Sequence, residues 1–491
     1  MSAKRSLWPK VSAAFVQRNL TGHKILGLVV AGLLYLICLS GTATVFYPDL
    51  QRWEAANVPD ATFTPEGLAR ALTDARAFQA KDAPSISAST PTRDAPRLTI
   101  SAGSGHRGYD SRGRFIGPAE TPATDALTAL HYQLHLPSTI GVVVVGLGGV
   151  AIVALVIGGL LAHPRLLKDA FLWRFKAGAR ANRSDLHNRI GAWGAPFHIV
   201  IALTGALIGL IQIAVLVAAI GFGKGDTAAT GAPLLGSPPP VTITGRMSES
   251  AMITAFSTLT RAYPGAEPNY VSLNNLNTPK ESLTVWADIP DRLVYGEQFD
   301  FDGQGRLTAR QHLIDGPAGK QAYASLYRLH FGSFGGVWVR IIYTLLGLGL
   351  CLICTTGMDI WLLKAAQRGL PHPRLHRVWT GFVWGAPAAM ATAAAATFIF
   401  PTIYIGAFWL FLLVWTLAAY FMRSVKQASL AGRFAVAASL ILLPFAQTLH
   451  PMSAGNLPMT LTVDLVLLSI GLTCFGSIMR NSLAFRARGA G

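Results

Sequence analysis

Charge is scarce in this chain. Only 13% of its 491 residues are Asp, Glu, Lys or Arg, and the acidic residues number 24 against 41 basic ones. Soluble domains carry about 25% charged residues, so a soluble protein folding around one core is excluded. Nucleotide motifs are also missing: no Gly-x-Gly-x-x-Gly follows a strand, no phosphate loop is present, and neither a Ser-His-Asp nor a zinc-protease signature can be assembled. The chain therefore carries no hydride donor of its own. Cysteine is limited to Cys38, Cys351, Cys354 and Cys474, all inside long apolar runs. The polar segments have none, which excludes a disulfide framework. Cys351-x-x-Cys354, one helical turn apart, reads as small packing residues rather than a redox pair.

Apolar sequence is what the chain has in quantity. Hydrophobic residues make up 51%, and several runs exceed the ~18–20 residues that cross a bilayer. Eight spans are expected, at 24–47, 139–162, 190–221, 338–363, 378–400, 402–422, 433–450 and 459–479. The first begins beyond a charged leader that reaches Lys24 and is longer than a signal-peptide core, so it reads as an uncleaved anchor. Basic residues cluster at alternate span ends: Lys4, Arg5, Lys10 and Arg18; then Arg165, Lys168, Arg174, Lys176, Arg180, Arg183 and Arg189; then Lys364, Arg368, Arg374 and Arg377; then Arg423, Lys426 and Arg433. Connection 451–458 has none. This pattern puts both termini in the cytoplasm. The net charge of +17 is thus a topology signal, and without a basic soluble domain or stacking platform it does not indicate nucleic-acid binding.

Two long segments, 49–138 and 222–337, fall on the opposite side. In the first, Thr64-Pro65-Glu66 opens a helix-like stretch to Phe78, followed by strand-like Arg97 to Ile100 and a turn at Asp110 to Arg114. The second repeats the order, with a helix-like stretch from Ser248 to Tyr263, a strand at Ser282 to Ala287 and a turn at Asp302 to Arg306, after a Pro/Gly-rich linker from Gly231 to Pro240. Each reads as a small α+β module. The membrane part repeats too. His23 opens the first span and His187 the third, Ser40-Gly41 matches Thr204-Gly205, and Leu130-His131 precedes the second span as Leu329-His330 precedes the fourth. The chain thus divides into a leader and first span (1–48), a first module (49–138), two spans with a basic loop (139–221), a linker and second module (222–337), a fourth span (338–364) and a four-span appendix (365–491).

Seven histidines lie at or just inside span ends: His23, His131, His135, His163, His187, His198 and His330. Histidine is costly in hydrocarbon and is kept for a partner, a proton path or a metal. His23, His163, His187 and His198 belong to the cytoplasmic half, and His131, His135 and His330 to the outer one. A low-spin haem for electron transfer takes two axial imidazoles from different helices. His187 and His198, eleven residues apart on what reads as one continuous helix, are about 16 Å apart and cannot share one iron.

The ordered set His163-Pro164-Arg165-Leu166-Leu167-Lys168-Asp169-Ala170-Phe171, Asp185-Leu186-His187-Asn188, Pro196-Phe197-His198, His330-Phe331-Gly332, Phe334-Gly335-Gly336 and Thr356-Gly357 resembles the PepSY-associated transmembrane proteins. These form a bacterial inner-membrane group linked to iron uptake that includes ferric-siderophore reductases. The resemblance covers about 20–364; the last four spans match only longer members, and His376 in Arg374-Leu375-His376-Arg377 departs from the pattern. It implies two PepSY-like outer modules, bis-histidine b-type haem, and reduction of a ferric siderophore or similar chelate with electrons from a cytoplasmic reductase or quinol. With no Cys-x-x-Cys-His motif, the haems would be non-covalent. The candidate ligands are His131 and His330 for an outer haem and His23, His187 and His198 for an inner one, with His135 and His163 as weaker alternatives. A membrane-anchored PepSY regulator that inhibits or binds other proteins is the competing expectation. A transporter is disfavoured by the lack of paired acidic or broken-helix midplane sites.

Overall fold

The computed structural model describes residues 12–79, 83–103, 105–162, 178–236, 242–289, 292–449 and 457–489. His163 and most of the basic loop after it lie outside these. Among the described residues seven helices are long and apolar enough to cross a membrane: Ala13–Thr44, Ser138–Leu161, Ala195–Phe222, Gly336–Gln367, Tyr404–Phe421, Val425–Thr448 and Thr460–Arg480. The protein is a mostly helical multi-pass membrane protein.

Two of the expected spans differ from the sequence reading. The stretch 378–400 is a helix, Pro373–Thr397, but it starts with Arg374, His376 and Arg377 and continues through the weakly apolar, alanine-rich run after Trp384. It is not among the seven. It forms the centre of the last bundle instead, packed between Tyr404–Phe421 and Val425–Thr448. The stretch 190–221 is not one helix. Ala179–Trp193 ends at Gly194, and Ala195–Phe222 starts afresh with Pro196 in its first turn. Proline has no N–H to continue the earlier helix but suits the first turn of a new one. His187 and His198 therefore stand on different helices, and the spacing derived for one continuous helix does not apply.

The first four spans form a bundle in which the first packs on the second and fourth, and the second on the third. Short helices Tyr47–Glu54, Pro122–Gln133 and Ala318–Phe331 lie at one end of it, the end expected to face outward. The last bundle is tied to this end. Trp53, 3% exposed, donates from Nε1 to Asp464 Oδ1 at 2.8 Å and accepts at its carbonyl from Gln447 Nε2.

In the segments between spans, helices Pro65–Arg76 and Glu249–Ala262 begin at side-chain caps, Thr64 accepting from the N–H of Gly67 and Ser248 from that of Ala251. Each helix is followed by four antiparallel strands: β1 (Ser85–Ser89), β2 (Leu98–Ala102), β3 (Gly105–Tyr109) and β4 (Phe115–Pro118), then β5 (Glu267–Asn274), β6 (Ser282–Asp288), β7 (Glu297–Asp302) and β8 (Leu307–Arg310). The two sets join through β1 and β5 into one sheet of order β4-β3-β2-β1-β5-β6-β7-β8. Strand alternation puts Ile86, Ile100, Val271, Val285 and Phe299 on one face, under Leu68, Leu72, Met252 and Phe256 of the two helices, so both segments share a single core. Arg76 of the first segment pairs with fully buried Glu281 of the second at 3.1 Å.

Candidate functional site

Four of the singled-out histidines meet as two pairs, one at each end of the first bundle. The His131 and His330 rings have centroids 6.1 Å apart and planes at 21°; those of His23 and His187 are 6.4 Å apart at 87°. An imidazole nitrogen sits about 2 Å from a first-row metal and ~1.1 Å from its own ring centre, so two imidazoles on opposite sides of one metal have centroids about 6 Å apart. Both pairs have that separation.

Each ring is oriented from its Nδ1 by a different span. His131 donates to the carbonyl of Ile37 in the first span at 2.9 Å, His23 to Leu155 of the second at 3.0 Å, and His330 to Ile201 of the third at 3.1 Å. His187 Nδ1 lies 3.1 Å from Thr356 Oγ1 in the fourth. A carbonyl only accepts, and the Thr356 hydroxyl already donates to Leu352. All four rings therefore carry their proton on Nδ1, which leaves Nε2 as the nitrogen that a metal would take. Burial, with His131 adjacent, pushes His330 down to about 4, and burial likewise lowers His131. Both imidazoles of this pair are thus neutral at physiological pH, the form a metal takes.

Glycines give the rings room. A Cβ at Gly41 would lie 2.5 Å from His131 Cε1, and one at Gly205 2.7 Å from His330 Cε1. At the other pair Gly159 and Gly357 face His23 and His187 more loosely, at 3.3 and 3.4 Å. The arrangement around His131 and His330 is duplicated at a constant offset: Ile37 and Gly41 in the first half correspond to Ile201 and Gly205 in the second, as His23 does to His187.

Of the remaining candidates, His163 lies outside the described residues, and neither His198 nor His135 is in ring contact with either pair. His198 is fully buried, with its ring over the helix break at Gly194 and toward the backbone of Leu346 in the fourth span. His135 uses both nitrogens elsewhere: Nε2 donates to the carbonyl of Ala126 at 2.7 Å, and Nδ1 accepts from Trp409 Nε1 at 3.2 Å. It joins the last bundle to the Pro122–Gln133 helix and has no nitrogen left for a metal.

Two contributors carried no motif. Thr356 was legible only as part of Thr-Gly, without a role. Glu54, 4% exposed, accepts from the N–H groups of Ala123 and Thr124 and from the Thr124 hydroxyl, at 2.8–2.9 Å. It thereby caps the Pro122–Gln133 helix that carries His131, whose own N-cap Thr121 makes no capping bond. Burial raises the Glu54 carboxyl from 4.5 to about 7 against these three donors. The folded protein then holds a proton that the unfolded chain releases, so this group's contribution to stability is complete below about pH 4.5, falls as pH rises to about 7, and is level above. Between pH 5 and 8 wild-type protein should lose on the order of 2 kcal/mol from this source, seen as a falling Tm, and Glu54→Gln should flatten the change. An identical pH dependence in both proteins would refute the assignment.

Residues 20–364, which include all four paired histidines and both extramembrane segments, match the PepSY-associated TM region. An uncharacterized protein of Pseudomonas aeruginosa is 29% identical over 315 residues, covering 60% of this chain and 79% of that protein. With the match extending over most of its length, the chain belongs to the PepSY-associated transmembrane family.

Proposed function

We propose that this protein is a b-type haem oxidoreductase of the bacterial inner membrane, with both termini cytoplasmic, that passes electrons to a ferric siderophore or other ferric chelate outside. His131 and His330 would hold the outer haem, and His23 and His187 the inner one. The observation that carries this reading is the pair of opposed imidazole sites, both at axial-ligand separation and all four rings in one tautomer. Structural histidines have no reason to share these features.

Bound haem would supply a one-electron iron couple at each site. The protein's own groups do the rest. Ile37, Leu155, Ile201 and Thr356 fix the ring orientations, and second-shell acceptors of this kind raise the basicity of the ligating nitrogen. From His23 to Ile37 the first span rises about 21 Å, so the two sites divide a hydrocarbon layer of about 30 Å into shorter transfers. Leu34, Ile37 and Ile152, all buried, keep that interval dry. The two extramembrane segments, each a helix followed by four strands, fit the PepSY-like modules that the family name implies and would face the ferric acceptor.

Purified protein from haem-replete cells should give a b-type spectrum and about two non-covalent haems per chain by pyridine haemochrome assay. Colourless protein would sink this reading and favour a membrane-anchored PepSY regulator.

A further inference from the structure

We propose that the electron donor is a membrane quinol, bound beside the inner histidine pair where the fourth span meets the Pro373–Thr397 helix, with His376 and Asp359 taking its protons. This rests on reading His23 and His187 as a haem site.

The first observation is a charged cluster within a turn of that pair. Thr356 of the fourth span hydrogen-bonds His187 and Gly357 faces its ring, and Asp359 follows on the same helix. Its Oδ2 is 3.3 Å from Arg183 Nε, and its Oδ1 is 3.7 Å from His376 Nε2. Arg183 stands one turn before His187. A carboxylate inside a span is costly and is retained for proton or ion chemistry. The second observation is independent. Trp379, on the same face of its helix as His376, is 7% exposed, and its Nε1 has no hydrogen-bond partner among the described residues. Buried indole N–H groups normally find an acceptor. Tyr35, beside it, already donates its hydroxyl to Val383.

The surroundings are apolar and aromatic. Phe382 lies nearly parallel to Trp379 at 5.8 Å, and Trp361 and Met358 complete the cluster with Ala31. A flat ring with an oxygen at each end matches this set: aromatic walls, an indole donor for one oxygen, and a His-Asp pair to accept protons. A soluble flavoprotein would need none of these inside the bundle. In the step, both quinol O–H bonds break and the ring becomes a quinone. One proton goes to His376 and one to Asp359, and then both pass to the cytoplasm. The two electrons leave one at a time toward His23 and His187, where a bound haem would accept each in turn and pass it outward before the next.

The test is titration of haem-loaded protein with 2-heptyl-4-hydroxyquinoline N-oxide, a fluorescent quinol analogue quenched on binding. Wild type should bind about one per chain, and Trp379→Phe and His376→Gln should each bind about tenfold more weakly with haem content unchanged. Decylubiquinol should reduce wild-type haem rapidly and His376→Gln haem slowly, while dithionite reduces both fully. No binding by wild type, or equal binding by both variants, would overturn the proposal. Colourless protein that still binds the analogue would instead remove the haem reading and leave the site.

Discussion

Alanine at His131 or at His330 is expected to remove one of the two haems and stop reduction of an outer ferric chelate, while the other haem remains reducible from the cytoplasmic side. Each of these imidazoles is held from Nδ1 by a different span, His131 by the Ile37 carbonyl and His330 by the Ile201 carbonyl and the Thr204 hydroxyl. His135, the nearest alternative in sequence, has both nitrogens engaged. Loss of an outer-shell partner alone costs a metal site about 10- to 100-fold, and loss of the ligand should cost more, so chelate reduction should fall to background. Alanine at His23 or His187 should remove the inner haem and block electron entry. His198→Ala should keep both haems, because His23 and His187 already face each other at axial-ligand separation without it. Haem content by pyridine haemochrome, with dithionite and donor-driven reduction of each variant, decides the matter. A His198→Ala protein with one haem beside a His187→Ala protein with two would reverse the inner assignment.

The sequence exposes long-range features through periodicity and repetition, and it hides those that depend on a local break or a single contact. Hydropathy marks the spans because burial in lipid demands long apolar runs, though it overstates the alanine-rich Pro373–Thr397 helix. The repeat points to His131 with His330 because both precede corresponding spans. The inner choice among His23, His187 and His198 stays open in sequence, since it depends on where the third span breaks; Gly194-Ala195-Pro196 was the signal. The pairing of β1 with β5 has no sequence signature, because an edge strand's partner is set by how two halves dock. Glu54 looks like any acid at a helix end, and only its burial under Ala123 and Thr124 reveals the cap. His376 stood out as a departure from the family pattern, but its neighbour Asp359 acquires meaning only when two distant helices meet.

The sharpest test of the outer site leaves every histidine in place. Gly41→Ala and Gly205→Ala add one methyl group each, and at both positions it would fall under 3.0 Å from an imidazole, His131 in one case and His330 in the other. No imidazole tolerates that approach, so the ring must swing away from its anchoring carbonyl and from its partner ring. Displacement of a metal-ligating atom by about an ångström is enough to lose most of a site's function, and each variant should purify with the outer haem missing or high-spin. The fold itself should not suffer, because alanine is favoured over glycine within a helix by about 1 kcal/mol. Gly357→Ala is the internal control: its methyl group would sit 3.4 Å from His187 Cε1, an ordinary contact, and the inner haem should stay low-spin. Absorption and electron paramagnetic resonance spectra of the three variants would show the difference. Low-spin bis-imidazole signals at full strength in Gly41→Ala and Gly205→Ala would mean that the rings at this end do not meet across an iron as proposed.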